Sequence, residues 1–420
     1  MLVVGNVIGA GIFLVGGFVA KLVHTPAAFL GLWFAGGVFA LSGALCNGEL
    51  GAMFPRGGGE YVYLRNAYGP MFGFLSGWTS FWIGFPGSIA TLAAGFGEGF
   101  GALTGTSVWG QRTVSIAIVV ALTVVNALGL RQGKLLQNVL SVVKVIAFAA
   151  ALVAGAIWGV RQGGVSLAPH GPEHASDLAM ALIPIYFAYS GWNAACYVAG
   201  EMKNPGRDLG RALALGTLAC VVLYLAVNAA FLVTMGLDGM RSSTNVGGEV
   251  AAQMFGRGAG VAVTVIIVIA VLSSLQATVI VGPRIYHAMA EDGLFPERLS
   301  RLHPKTRVPV EALALQGIVS CALLLTGGFD KLLTFTTFAL VLFSIITVAA
   351  VPVLRVRAPD NERPFRTPGY PLTPLVYIAG NAWVLYVVVA SGAREALVGL
   401  AIVLSGVPFY MYFRKKRGAA

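Results

Sequence analysis

The sequence predicts an all-α membrane protein of twelve transmembrane helices, two five-helix halves followed by two further helices. Three observations carry that prediction. Hydrophobic residues make up 57% of the 420, mean hydropathy is +0.80, and charged residues are only 11%, less than half the roughly 25% of a soluble domain. Apolar runs recur that can cross about 30 Å of hydrocarbon, which takes about 20 helical residues. Two of these runs, at residues 5–13 and 187–193, are interrupted in ways that a plain spanning helix is not.

In order, the apolar runs are 2–20, 27–53, 70–101, 112–130, 135–158, 178–199, 211–236, 259–288, 309–326, 329–353, 373–392 and 395–413. None alternates with the ten-residue period of a membrane β-barrel, so the backbone must satisfy itself in helices. A single transmembrane domain over 1–420 is expected, with a first half at about 1–158, a second at about 178–353 and the extra helices at about 373–413. Because five is odd, consecutive halves enter the membrane from opposite faces. The interrupted first helix of each half then meets its counterpart near the midplane, as an inverted repeat. Loops 55–60, 203–208 and 363–371 are rich in Pro, Gly and Arg, and their simplest role is to stop helices and anchor the headgroup interface.

A net charge of +11 raises the question of nucleic acid, but the basic residues follow membrane topology. With loops assigned alternately, 20 Lys and Arg fall on one side and 7 on the other, with Lys144 inside the membrane, which accounts for all 28. By the positive-inside rule the richer side, with both termini, faces the cytoplasm. No basic segment precedes the first span and no charged signal-peptide n-region is seen, so the expectation is a first helix lacking its leading residues. Cys46, Cys196, Cys220 and Cys321 all fall in predicted spans, where no disulfide is expected.

A broken helix in hydrocarbon leaves backbone N–H and C=O groups that cost several kcal/mol unless something polar pairs with them. A zwitterion satisfies both kinds at once. Around Gly9, Ala10 and Gly11, exposed amides at the start of an outer half-helix can receive a carboxylate. Carbonyls freed at Val7, and across the site at Phe187 and Ser190, can receive an ammonium group. Taken alone, Gly-x-Gly in a membrane helix reads equally as close helix packing; the matching interruption at 187–193 favours a site for the α-amino and α-carboxyl groups of an amino acid. Phe187 is placed to cover a ligand as an outer gate, Ser190 to set side-chain room, and Asn193 to bridge to neighbouring helices. Tyr189 and Trp192 read as packing residues.

Lys144 lies ten residues after Lys134, hence about 15 Å deeper and close to mid-bilayer. Central burial of a charged residue costs at least about 2.5 to 3.5 kcal/mol, and such residues usually serve a polar interior. Its expected partners are carbonyls of the first broken helix and the hydroxyl of Ser273 or Ser274, where an ammonium would stand in for a coupling sodium ion. The alternative is a structural cation bracing two helices. Glu49, at the inner end of span two, reads as a helix-end hydrogen-bonding group or a proton-exchanging one. His170 and His174 flank a loop Gly-Pro and lack a third ligand, so no metal or cofactor is expected. No HExxH, P-loop lysine or nucleophile elbow is present.

At residues 5–13, 48–50 with 55–63, 187–193 with 201–205, 282–284 through 292–296, and 363–371, the chain resembles the amino acid–polyamine–organocation superfamily, and within it the bacterial relatives of the L-type amino acid transporters. The resemblance covers essentially the whole length. It implies a five-plus-five inverted repeat of the LeuT type and alternating access. It also implies a substrate carboxylate on the Ala10 and Gly11 amides, an ammonium on carbonyls of Val7, Phe187 and Ser190, Lys144 in the sodium-replacing position, and sodium-independent exchange in a bacterial-type cytoplasmic membrane. Mammalian L-type members join a heavy subunit through a cysteine after span three. Residues 99–111 here contain none, so no disulfide-linked partner is expected. Ser190 stands where some relatives have glycine, which favours small substrates such as alanine, serine or threonine.

The expected function is therefore sodium-independent transport of small neutral amino acids, by exchange. The absence of Asp and Glu from 1–48 and 178–200 removes a counter-charge for cationic side chains from the two main walls. Proton-coupled symport, with Lys144 or Glu49 titrating, is the alternative within that class. A non-transporting amino acid receptor is the alternative outside it, and an enzyme is disfavoured.

Overall fold

Proline and glycine set where the helices start and stop. The computed structural model describes residues 2–9, 11–129, 135, 137–140, 142–143, 171–243, 245–390 and 394–418, and these are helical with connecting turns. A first helix is split into α1 (Leu2–Val7) and α2 (Gly11–Leu22). Then come α3 (Pro26–Met53), α4 (Glu60–Tyr68), α5 (Pro70–Thr79), α6 (Phe85–Thr104) and α7 (Val108–Ala127). After the residues outside the description follow α8 (Ala175–Tyr189), the short α9 (Ala194–Tyr197), α10 (Pro205–Ser242), α11 (Val246–Phe255), α12 (Arg257–Val281) and α13 (Pro283–Glu291). The chain closes with α14 (Val310–Leu324), α15 (Phe329–Arg357), α16 (Leu372–Ala390) and α17 (Arg394–Gly418). Prolines open α3, α5, α10 and α13, where a missing N–H costs nothing. Thr25 caps α3 by accepting from the Ala28 amide at 3.0 Å.

Among the described residues seven helices are long and apolar enough to span a membrane, fewer than the twelve expected. The shortfall has local causes. Runs 2–20 and 178–199 are divided by their breaks, and α14 is only 15 residues long. Run 70–101 is divided by a π-helical turn at Ser80–Gly84. Pro86 explains that turn, because it has no N–H to donate to the preceding turn and its ring crowds the carbonyl four residues back. The Ser80 carbonyl takes the Phe85 amide five residues on, and accepts as well from the Tyr286 hydroxyl at 3.1 Å. Most of run 135–158 lies outside the described residues. Within α10 the backbone kinks at Gly236, whose φ of 66° is open to glycine, at the position where run 211–236 ends.

Around the breaks, α2 packs on α8, α1 lies against α10 and α12, and α3 runs along α10. At one end of the bundle the Arg241 guanidinium donates to the Ala20 and Val23 carbonyls at 2.9 and 2.7 Å, closing the C-terminus of α2. Glu173 accepts there from the His24 amide and the Thr25 hydroxyl, both at 2.9 Å. At the other end Arg56 and Arg65 pair with Asp292, which also accepts from Tyr61 at 2.7 Å.

Glu49 is a structural clamp. Its carboxylate receives Arg355 through Nε and Nη2 at 3.0 and 2.7 Å and the Thr367 amide at 2.7 Å, with the Arg363 guanidinium 3.5 Å away. Loop 363–371 therefore does more than stop a helix: it docks onto the C-terminal end of α3. A carboxylate so fully engaged is the helix-end group of the two sequence readings, held as an ion pair rather than freed to exchange protons. The four cysteines are free thiols.

Candidate substrate site

Both interruptions read from the sequence are true breaks, and they lie against each other. The first falls after Val7 and leaves Ile8 and Gly9 out of helix; Ala10 lies outside the described residues. The second covers 190–193, with Ser190 extended at φ −63° and ψ 162° and Gly191 at φ 95°. The Asn6 side-chain amide donates to the Gly191 carbonyl at 2.9 Å, which joins the two directly. A Cβ on Gly11 would stand 2.5 Å from the Ala188 Cα, and one on Gly9 would stand 2.5 Å from the Ser274 hydroxyl. Close packing is therefore one job of both glycines, and facing the cavity between the breaks is another.

That cavity has about 90 Å³ of water-accessible volume, several times the roughly 10–15 Å³ that one water needs. Val7, Gly9, Gly11, Phe187, Ser190, Asn193 and Ser274 all line it. The freed carbonyls do not wait empty. The Tyr224 hydroxyl is shared between the Val7 and Ala188 carbonyls at 2.6 and 3.1 Å, and the Ser274 hydroxyl reaches the Asn6 and Ile8 carbonyls at 3.3 and 3.4 Å. The Phe187 carbonyl accepts the Ser190 amide at 3.0 Å and the Ser190 hydroxyl at 2.7 Å. Since a carbonyl has two lone pairs, that of Phe187 is filled in this conformation.

Ser273 and Ser274 separate. Ser274 faces the first break, but Ser273 is fully buried and turned to Gln137, which donates to it at 3.4 Å; it does not line the cavity. Lys144 lies outside the described residues, so its pairing is not described. Tyr189 packs edge-on to Trp33 and donates to the Trp33 carbonyl at 3.1 Å, while Trp192 lies against Gly43.

Three participants carry no obvious signal in the sequence. Tyr224 sits mid-helix among apolar residues, and Asn6 is hidden beside the glycines it serves. Glu60 comes from a loop-like run of three glycines, yet it opens α4 inside the protein and lines the same cavity. It accepts from Asn193 at 3.2 Å, and this is the helix bridge that Asn193 makes. The two main walls, 1–48 and 178–200, carry no acidic residue, and Glu60 brings a carboxyl group to the cavity from outside them.

A helical membrane protein with a cavity built between two facing helix breaks has the architecture of a transporter. A profile of the amino acid permease family matches residues 1–395, and the chain belongs to that family. It is 32% identical to the serine/threonine exchanger SteT of Bacillus subtilis (strain 168), over 100% of this chain and 96% of that one. It is 28% identical to the b(0,+)-type amino acid transporter 1 of Rattus norvegicus, over 98% of this chain and 86% of that one. Against the large neutral amino acids transporter small subunit 2 of Homo sapiens it is 27% identical, over 97% and 78%.

Proposed function

We propose that this protein is a sodium-independent exchanger of small neutral amino acids, working by alternating access. The observation that carries the reading is the meeting of two helix breaks at one cavity. Amides at 9–11 take the substrate carboxylate at the start of α2, and carbonyls at Val7 and Ser190 take its ammonium. Phe187 contributes its ring as the cover of the pocket, and the Ser190 side chain limits the room beyond the α-carbon. The serine/threonine specificity in the name of the Bacillus relative supports small substrates.

The same proposal includes twelve spans in a five-plus-five inverted repeat, both termini in the cytoplasm, and no disulfide-linked heavy subunit. It keeps Lys144, with Ser274, in the place of a coupling sodium ion. Lys144→Ala is expected to abolish most uptake while leaving expression near normal, because the inner part of the first helix loses its brace. Full uptake by a well-folded Lys144→Ala protein would remove that role.

The test is labelled alanine or serine uptake into proteoliposomes. Uptake that requires internal amino acid, and is unchanged when sodium is replaced, supports exchange. Drive by an inward proton gradient without internal substrate selects symport instead, and binding without flux selects a receptor. A competition panel of the twenty amino acids reads the specificity, with cationic substrates included because Glu60 borders the cavity.

A further inference from the structure

Glu60 is the only acidic or basic side chain among the described residues that line the cavity. It is 7% exposed. Gly59 makes its placement possible: with φ at 52°, a Cβ there would stand 2.5 Å from the Tyr197 ring, so only glycine lets the start of α4 press against α9. The groups facing Glu60 are the phenols of Tyr63, Tyr186, Tyr197 and Tyr377 and the thiol of Cys196, contributed by α4, α8, α9 and α16. Ordinary phenols and thiols lose protons near about 10 and 8.5, so none of these groups supplies a charge at neutral pH. Among the described residues no cation pairs with Glu60, and its one hydrogen-bond donor is Asn193. Burial pushes the Glu60 carboxyl up to about 7, against a smaller downward pull from Asn193.

The next residue ties the same helix to the end of the bundle. Tyr61 donates to Asp292, where Arg56 and Arg65 also converge. Burial raises the Asp292 carboxyl, but Tyr61 and the two guanidinium groups outweigh it and hold it below the usual carboxylate range. This cluster joins residues 56–65 to the end of α13. If these segments part to open the cavity, the start of α4 moves with them and water reaches Glu60.

We propose that Glu60 is a proton-binding residue of the transport cycle, neutral while the cavity is closed to the cytoplasm and ionised when the cytoplasmic end opens. On opening, its carboxyl gives one proton to cytoplasmic water; reclosing requires that a proton return, since an unpaired buried carboxylate is costly. Cytoplasmic pH therefore sets the rate of closure. The proposal rests on the transport reading for its place in the cycle.

The test has two arms. In uniformly oriented proteoliposomes, exchange is measured with the pH of the cytoplasmic compartment varied from about 6 to about 8 around the Glu60 value and the other side held fixed. Wild-type exchange should fall several-fold as that pH rises, and Glu60→Gln, which mimics the neutral acid, should be active and flat. An unchanged pH profile in Glu60→Gln, or a folded Glu60→Gln protein inactive at every pH, overturns the proposal. Infrared titration of the purified protein provides the second arm. A protonated-carboxyl band that fades near neutral pH, and is missing from Glu60→Gln, is expected; its absence from the wild type overturns the proposal whether or not the protein transports. A titrating band in a protein that exchanges nothing would count against the transport reading alone.

Discussion

The two helix breaks solve one physical problem by different means. At the second, the repair is mostly local: Ser190 turns its own amide and hydroxyl back to the Phe187 carbonyl, three residues upstream. At the first, the repair comes from elsewhere in the fold, with Tyr224 of α10 on Val7 and Ser274 of α12 on Asn6 and Ile8. A locally capped break keeps its shape when neighbouring helices move. A break held by distant hydroxyls reports the positions of those helices, so the first break is the one suited to change between states.

The difference can be tested from its strongest consequence downward. Gly11→Val should have the largest effect, because the new side chain meets Ala188 backbone at the point where the breaks touch. Overpacking of this kind typically costs about 1–3 kcal/mol, and near-complete loss of uptake with lowered thermal stability in detergent is expected. Wild-type uptake and stability in Gly11→Val would mean that the breaks need not lie together. Tyr224→Phe removes one hydroxyl shared by both sides of the site. At about 0.5–1.5 kcal/mol for a hydrogen bond, uptake should fall by up to about tenfold while protein yield holds. The smallest effects separate the two breaks most directly. Ser274→Ala should slow exchange a few-fold, and Ser190→Ala should change rate less than substrate preference, since the Ser190 amide still caps Phe187. Equal kinetic effects from the two serines would erase the distinction.

How much of this was legible in the sequence follows from how far each signal reaches along the chain. The breaks announce themselves because glycines and polar groups stand where an apolar run should continue. Gly236 marks both the end of an apolar run and a kink in the backbone. What escaped depends on contacts between distant residues. Glu60 and Asn193 are separated by 133 positions, and Tyr224 and Val7 by 217; no periodicity encodes such meetings. Ser273 and Ser274 show the limit at its finest. They are adjacent and identical, and only helix rotation decides that one faces the break while the other turns to Gln137.

Arg241 holds the last carbonyls of α2 from the far end of α10, beyond the Gly236 bend. The second half of the first helix, α2, is thereby moored to a different helix from the one that continues its own axis. In the proposed alternating-access cycle, a swing of this face would carry the two as a single lever with its fulcrum at the bend. The pull on the substrate's carboxylate would then be delivered through a guanidinium bound at Ala20 and Val23, nine and twelve residues beyond Gly11, out of reach of the substrate itself.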